Sequence, residues 1–172
     1  GVALSYGTLS GGMTNSGTIA GKNTGIRLLD SSLTGGIINT GRVTGRNYSI
    51  YLNDSRIDSI NNSGTMIGAN TAILSTYKNT ITGGITNRGK ISGVNAGIVI
   101  NKSSLSGGIT NSGWIDGGVA GIKIAESSLT GDINNSGMIA GKNGTAIFVS
   151  SLTGTLNINN SSSGIIIGSI SG

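Results

Sequence analysis

Aliphatic residues return at fixed places along the chain, about every 24 residues. The column that opens each repeat holds Leu9, Leu33, Ile57, Ile81, Leu105 and Leu129, and Leu152 opens a partial seventh repeat. Within words such as GIVI and GIKI, apolar residues alternate with variable ones, which is the period-two pattern of a half-buried strand. Ile and Val favour strands, and each apolar run is too short and too interrupted by glycine to form a helix. The pattern therefore predicts short β-strands and no helix.

Glycine and asparagine occupy further columns between the apolar runs. One glycine column contains Gly17, Gly41, Gly64, Gly89, Gly113 and Gly137, and another contains Gly21, Gly45, Gly68, Gly93, Gly117 and Gly141. A glycine at one place in every repeat indicates a corner where the backbone needs a positive φ or a close approach. Asparagine forms a strict column at Asn15, Asn39, Asn62, Asn87, Asn111 and Asn135, and a looser one at Asn23, Asn47, Asn70, Asn95 and Asn143. In stacked repeats, we expect the amides of the strict column to bond to one another as a structural ladder.

The length of the repeat suits three short strands and three turns, so each repeat is predicted to form one triangular coil. Successive coils would pair in parallel, with like residues stacked at about 4.8 Å. We therefore expect residues 1–172 to form a single all-β domain, a parallel β-helix (β-solenoid) of about seven triangular coils of ~24 residues. The first and last segments match successive parts of one repeat and stay in register, so we expect a segment of a longer array or fibre.

The words GGITNSGWIDG, GGITNRGKISG and GDINNSGMIAG resemble the passenger repeats of bacterial autotransporters and related large secreted adhesins. The resemblance covers essentially the whole chain and is one of repeat style. It implies a right-handed parallel β-helix that is secreted by a Gram-negative bacterium or displayed on its cell surface. It also implies a role in adhesion, self-association or fibre formation, although some members of such families carry enzymatic domains.

The composition leaves few groups for chemistry. Glycine supplies 32 of the 172 residues, charged residues make up 10%, and cysteine and histidine are absent. The chain therefore has no disulfide, and it lacks the commonest general base and metal ligand. The formal net charge of +5 comes from basic residues that are scattered rather than clustered, which argues against nucleic acid as a partner. No run of about 18 apolar residues occurs, so no membrane insertion is predicted. We expect no cofactor and no metal.

Asp30 and Asp54 are the strongest candidates for catalysis, because they occupy one column in neighbouring coils. Their expected separation of about 5 Å is that of the carboxylate pair in retaining glycosidases. The same column continues with Tyr77, Lys102 and Glu126, as expected of a solvated corner with mixed charge. The repeat also lacks the regular aspartate of calcium-binding Gly-Gly-x-Gly-x-Asp arrays. We therefore predict neither a catalytic residue nor a calcium site.

Four side chains are candidate surface contacts for a glycan or for another fibre, namely Arg46, Tyr48, Tyr51 and Trp114. Aromatic side chains favour such contacts because they offer a large apolar face with a polar edge. The isolated positions of these residues along the chain are more typical of surface decoration without a partner.

Two classes of function remain open. The first is a non-catalytic extracellular structural or adhesive module that forms or extends a surface filament, by continuation of the chain or by head-to-tail stacking of coils. Its partners would be itself, neighbouring repeats, and host or bacterial surface glycans. The second is a β-helix protein that binds or cleaves polysaccharide. The nearly constant repeat length favours the first class, because an enzyme needs convergent polar residues, usually on irregular insertions.

Overall fold

The computed structural model describes all 172 residues, and coils 1 to 5 each contain four strand segments. We call them segments a, b, c and d in chain order, and we number the coils from the Leu9 repeat (coil 1) to the partial Leu152 repeat (coil 7). Like segments of successive coils pair in parallel and form a β-solenoid of about seven turns, with about 24 residues per turn and no helix. The predicted all-β parallel solenoid is therefore confirmed.

The strands are short and regular in most coils. Segment a comprises Thr8–Ser10, Ser32–Thr34, Arg56–Ile57, Thr80–Ile81, Ser104–Leu105 and Ser128–Leu129. Segment b comprises Met13–Asn15, Ile37–Asn39, Ile60–Asn62, Ile85–Asn87, Ile109–Asn111, Ile133–Asn135 and Ile158–Asn160. Segment c comprises Thr18–Gly21, Arg42–Gly45, Thr65–Gly68, Lys90–Gly93 and Trp114–Gly117. Segment d comprises Thr24–Leu29, Tyr48–Asn53, Thr71–Thr76, Ala96–Asn101 and Ala120–Ala125, with Val2–Ser5 preceding coil 1.

Three sheets result, because segments c and d belong to one sheet. Segment a forms a six-stranded sheet and segment b a seven-stranded sheet, while segments c and d join through the continuous strands Met138–Ser150 and Ile165–Ser171. The expectation of three strands per coil was thus one too few. In coil 4, a Cβ at Gly93 would overlap the carbonyl oxygen of Ala96, so glycine permits the sharp corner that divides segment c from segment d.

Inward-facing aliphatic side chains fill the solenoid along its length. The core cluster contains 27 buried residues. The register pairs Leu9 with Leu33 and Ile57 with Ile81, so like residues stack directly. Leu33 is fully buried, whereas Leu9 in coil 1 is 39% exposed because a coil covers it on one side alone. Since burial of an aliphatic side chain contributes roughly 1.5–3 kcal/mol, the stacking of coil on coil is the main source of stability.

The first glycine column is required by contact between coils and not by a positive φ. A Cβ at Gly89 would overlap the carbonyl oxygen of Gly64 in the preceding coil. Gly17 in coil 1 has no such neighbour, and nothing lies within 4 Å of the position of its Cβ. Positive φ occurs instead at the corner between segments a and b, for example 82° at Gly84 and 69° at Gly108.

Coil 3 departs from the repeat at two places that compensate each other. Its connection from Ile57 to Ile60 is one residue shorter than the matching connection in coil 4. Its d-to-a corner is one residue longer, because Tyr77 and Lys78 together stand where coil 4 has Lys102 alone. The predicted column of single corner residues is therefore interrupted at Tyr77, and the coil keeps its length.

The register of coil 7 is offset by one residue from a 24-residue repeat, because coil 6 has an extra residue between Gly141 and Thr145. An isolated bridge pairs Ser128 with Thr153, so Leu152 does not lie opposite Leu129 as the repeat alignment predicts. The same offset continues into segment b, where Ile158 pairs with Ile133. Leu152 still packs against the core as a partly buried residue.

Candidate functional site

The strict asparagine column forms a continuous ladder of side-chain hydrogen bonds. In each step, the Nδ2 of one asparagine donates to the Oδ1 of the asparagine in the next coil at 2.7–2.8 Å. The ladder runs through Asn15, Asn39, Asn62, Asn87, Asn111, Asn135 and Asn160. Asn160 was not part of the predicted column, because aligning Leu152 with Leu129 places coil 7 two residues out of its structural register.

Each ladder amide also satisfies backbone groups at the corner between segments b and c. Asn87 Nδ2 donates to the carbonyl oxygens of Gly89 at 3.1 Å and Trp114 at 3.2 Å. The backbone carbonyl oxygen of Asn87 accepts hydrogen bonds from the backbone N–H groups of Ser112 and Gly113. Because buried polar groups must be paired, the ladder makes this corner of the solenoid compatible with burial. The ladder is structural, and it has one direction because every side-chain amide donates toward the C-terminal end.

The looser asparagine column does not form a ladder. Asn95 Nδ2 donates to Asn70 Oδ1 at 2.7 Å, and this is the one side-chain bond between members of that column. At the corner between segments c and d, Asn95 is exposed and Asn70 is half-buried.

The Asp30 and Asp54 carboxylates lie at the corner after segment d, beside an open groove of about 390 Å³. Both residues have a left-handed backbone with φ of 45°, a conformation that Asp adopts more readily than most residues. Lys102 and Glu126 share this conformation in later coils and form an exposed ion pair at 3.6 Å. The pKa of Lys78 in the same groove is raised, first by hydrogen bonding and charge interaction with Tyr77 and then by Asp54. The shared conformation identifies this column as a recurring turn.

Tyr48 and Tyr51 lie together on the outer surface of coil 2. Their ring centroids are 5.3 Å apart, with an angle of 27° between the ring planes. Strict alternation would place residues three apart on opposite faces, but Ser49 and Ile50 are both buried, so the strand turns both tyrosines outward. The Ser49 hydroxyl donates to the Ala72 carbonyl oxygen at 2.9 Å, which accounts for a polar residue at this buried place.

A sequence signal for this irregularity exists in the column that includes Ser49. It holds small residues in every coil, namely Gly25, Ser49, Ala72, Gly97, Gly121 and Ala146. A column restricted to small side chains next to an aliphatic column indicates two successive inward positions. That signal predicts the pairing of the tyrosines, and the alternation pattern alone does not.

The other two candidate surface residues are placed differently. Arg46 is exposed at the corner that precedes Tyr48. Trp114 lies on segment c of coil 5, where its side chain is 49% exposed and Lys90 Nζ is 5.8 Å from its ring centroid. The structure therefore brings the two tyrosines together and leaves Trp114 on another face.

A groove of about 280 Å³ extends from Tyr48 across segment d of the following coils. Its lining combines the aliphatic side chains of Leu74 and Val99 with the polar groups of Asn70 and Lys123. Beyond the lining, Lys123 Nζ lies 5.5 Å from the ring centroid of Phe148. Sequence reasoning did not identify this groove, because it arises from the sharp corner between segments c and d.

One buried charge stands apart from these surfaces. The Asp116 side chain on segment c is 4% exposed, and its Oδ2 lies 2.8 Å from the largely exposed Lys142 Nζ. Its Oδ1 is buried without a hydrogen-bond partner. Asp116 is a buried carboxylate at a position where other coils have uncharged residues, namely Ala20, Thr44, Ser92 and Ala140.

Comparison with protein-family models, curated proteins and solved structures finds nothing that matches this chain. No group of three or more acidic side chains is arranged to hold a metal ion. No helix is present that has the length and apolar character needed to cross a bilayer.

Proposed function

We propose that this chain is a non-catalytic extracellular structural module that forms or extends a surface filament by stacking coil upon coil. The next level is supplied either by more repeats of the same chain or by a second copy joined head to tail. The observation that carries this proposal is the single direction of the asparagine ladder through seven successive asparagines.

Because the ladder has one direction, the first and last coils of the chain present complementary hydrogen-bonding groups. Asn15 Oδ1 receives no donor at one end, and Asn160 at the other end has an exposed amide that donates to Gly164. A level added head to tail pairs an amide donor with a carbonyl acceptor, as in every interior step. A level added head to head opposes two groups of the same kind. The polarity therefore favours growth in one direction.

The aliphatic columns support the same mode of growth. Leu9 is 39% exposed where its equivalents further along the column are buried, and Ile170 at the opposite end is 52% exposed. An added level would cover these side chains as coil 2 covers coil 1. The unpaired strand edges at such levels also favour pairing with another chain.

The extracellular location and the resemblance to autotransporter passenger repeats belong to the same proposal. A chain with 10% charged residues and no cysteine suits an exported rod that is built from repetition rather than from a reactive centre. The carboxylates at the Asp30 and Asp54 corner act in this proposal as turn residues, not as an acid and a nucleophile.

The test compares two leucine-sized aliphatic positions of similar exposure. Leu9→Lys places a charge on the end level, whereas Ile38→Lys places it on the lateral face of segment b, where Ile38 is 42% exposed. Sedimentation velocity and electron microscopy over a range of concentrations measure rod length for the wild type and both variants, after circular dichroism has verified folding.

We expect the wild type and Ile38→Lys to form rods that lengthen with concentration, and Leu9→Lys to remain one unit long. Wild-type rods that stay one unit long at every concentration would overturn head-to-tail assembly by separate copies. Loss of assembly in Ile38→Lys alone would show lateral association instead.

A further inference from the structure

The groove on segment d has a composition that matches a sugar polymer. Tyr48 and the stacked Tyr51 form an aromatic surface at one end, and Leu74 and Val99 form an apolar floor. Asn70 at the rim supplies an amide group. Sugar rings present apolar C–H faces together with hydroxyl groups, so aromatic and aliphatic surfaces beside amides are suited to bind them.

The direction of the groove suits a linear ligand. The register places Tyr51 beside Leu74, Leu74 beside Val99, and Val99 beside Lys123, so these outward side chains follow the solenoid axis. Successive coils therefore offer binding groups at intervals of about 4.8 Å, which is the scale of one monosaccharide unit.

The charged side chains on segment d and on the corner before it are all basic. Segment d and the corner before it contain no acidic residue in any coil. They carry the exposed basic residues Lys22, Arg27, Arg46, Lys123 and Lys142, and of these Lys142 is paired with Asp116. The other five carboxylates, Asp30, Asp54, Asp58, Glu126 and Asp132, lie at the corners on either side of segment a. This segregation favours a ligand with negative charge.

We infer that the groove along segment d of coils 2–5 binds a linear polyuronate, an acidic polysaccharide whose sugar units carry carboxylates. The sugar rings pack on Tyr48, Tyr51 and the aliphatic floor. Lys123 in the groove attracts the carboxylates, and so does Arg27, which lies beside Tyr51 in the neighbouring coil 1. This inference is independent of filament growth, because the groove lies on the lateral surface and is complete in a single chain.

The repeat supplies substitutions that preserve the fold. Tyr48→Thr introduces the residue that coils 1 and 3 have at the same register position, and Tyr51→Leu introduces the residue of coil 3. Lys123→Val introduces the residue of coil 4. The matched control is Trp114→Met, which removes an exposed aromatic from segment c and introduces the residue of coil 6.

The experiment measures binding of the full chain by isothermal titration calorimetry, in the Leu9→Lys background so that assembly does not contribute. The probes are oligogalacturonate and oligomannuronate, each paired with its methyl-esterified neutral form. Duplex DNA and phosphatidylglycerol vesicles serve as other polyanions. If Leu9→Lys assembles like the wild type, the filament proposal fails while the binding measurement still stands.

We expect at least one charged oligosaccharide to bind more tightly than its neutral form, with an affinity that falls as salt is added. Each tyrosine variant should weaken that binding by about two- to tenfold, and Trp114→Met should leave it unchanged. The inference is overturned if no charged oligosaccharide exceeds its neutral form, or if Trp114→Met weakens binding as much as Tyr48→Thr. Equal binding of DNA or vesicles, lost in the same variants, would also overturn it by showing a surface for polyanions in general.

Discussion

Replacement of Asn87 by leucine tests the asparagine ladder at its centre. Leucine has nearly the same shape as asparagine but neither accepts nor donates a hydrogen bond. The substitution removes the bond accepted from Asn62 and the bond donated to Asn111, both at 2.8 Å. It also removes two bonds to backbone carbonyl oxygens.

The cost follows from which groups are left without a partner. Asn62 Nδ2 keeps its bonds to the carbonyl oxygens of Gly64 and Lys90, so it remains paired. Asn111 Oδ1 loses its sole donor while fully buried. An orphaned buried acceptor costs about 1–3 kcal/mol, and each other lost bond costs about 0.5–1.5 kcal/mol. After partial compensation by the buried leucine, the free energy of unfolding should fall by about 3 kcal/mol.

The ladder direction makes this prediction sharper at its ends. Asn15→Leu orphans Asn39 Oδ1, whose one donor is Asn15 Nδ2, and should cost about 1–3 kcal/mol. Asn160→Leu orphans no buried group, because Asn135 Nδ2 keeps the carbonyl oxygens of Gly137 and Ile165. Its cost should stay below about 1 kcal/mol.

Urea unfolding followed by circular dichroism gives the three free-energy changes, and thermal melting gives an independent measure. For a chain of this size, a loss of about 3 kcal/mol corresponds to a fall in Tm of about 6–12 °C. Equal losses for Asn15→Leu and Asn160→Leu would refute the one-directional ladder. A neutral Asn87→Leu would show that the ladder contributes nothing to stability.

Two further predictions concern the glycine column and the buried charge. Gly89→Ala should destabilise the protein by about 1–3 kcal/mol in urea unfolding, because its Cβ meets the Gly64 carbonyl oxygen, whereas Gly17→Ala should be neutral or slightly stabilising. Equal effects of the two alanines would refute an inter-coil cause. Asp116→Ala should be neutral or stabilising by the same assay, because it removes a buried carboxylate with an unpaired oxygen and introduces the residue of coil 6. Lys142→Met should cost roughly 1–3 kcal/mol, because it leaves that carboxylate without its cation. If Lys142→Met is harmless, the pair does not compensate the buried charge.

The sequence predicts the columns of this fold well because stacking converts each column into a direct contact. Leu33 and Ile57 lie opposite each other in register, and Asn87 bonds directly to Asn111, as equal spacing requires. The spacing of residues in the sequence predicts the outward or inward direction of a side chain less well where the backbone departs from strict alternation. Tyr48 and Tyr51 share a face because two successive residues between them are buried, and the stacking of their rings depends on that departure.

Corners are also less predictable than strands, because a recurring glycine has several physical causes. Gly84 is a glycine with positive φ, whereas Gly89 is needed to let another coil approach. A deletion compensated by an insertion leaves the repeat length unchanged, as in coil 3, where the extra corner residue at Tyr77 offsets the shorter connection after Ile57. Such a pair shifts the register locally and is invisible to an alignment on one column.

Gly17 connects the glycine column with the proposed function. Each later member of its column has the carbonyl oxygen of a preceding coil where a Cβ would lie, but the space beside Gly17 is empty. Nothing within this chain therefore requires glycine at that position, while a level stacked beneath it would impose the same requirement as in every other coil. Gly17→Ala should then leave the stability of the single chain intact and still hinder growth at that end. That combination separates stacking of coils from association through the lateral face, where Gly17 makes no contribution.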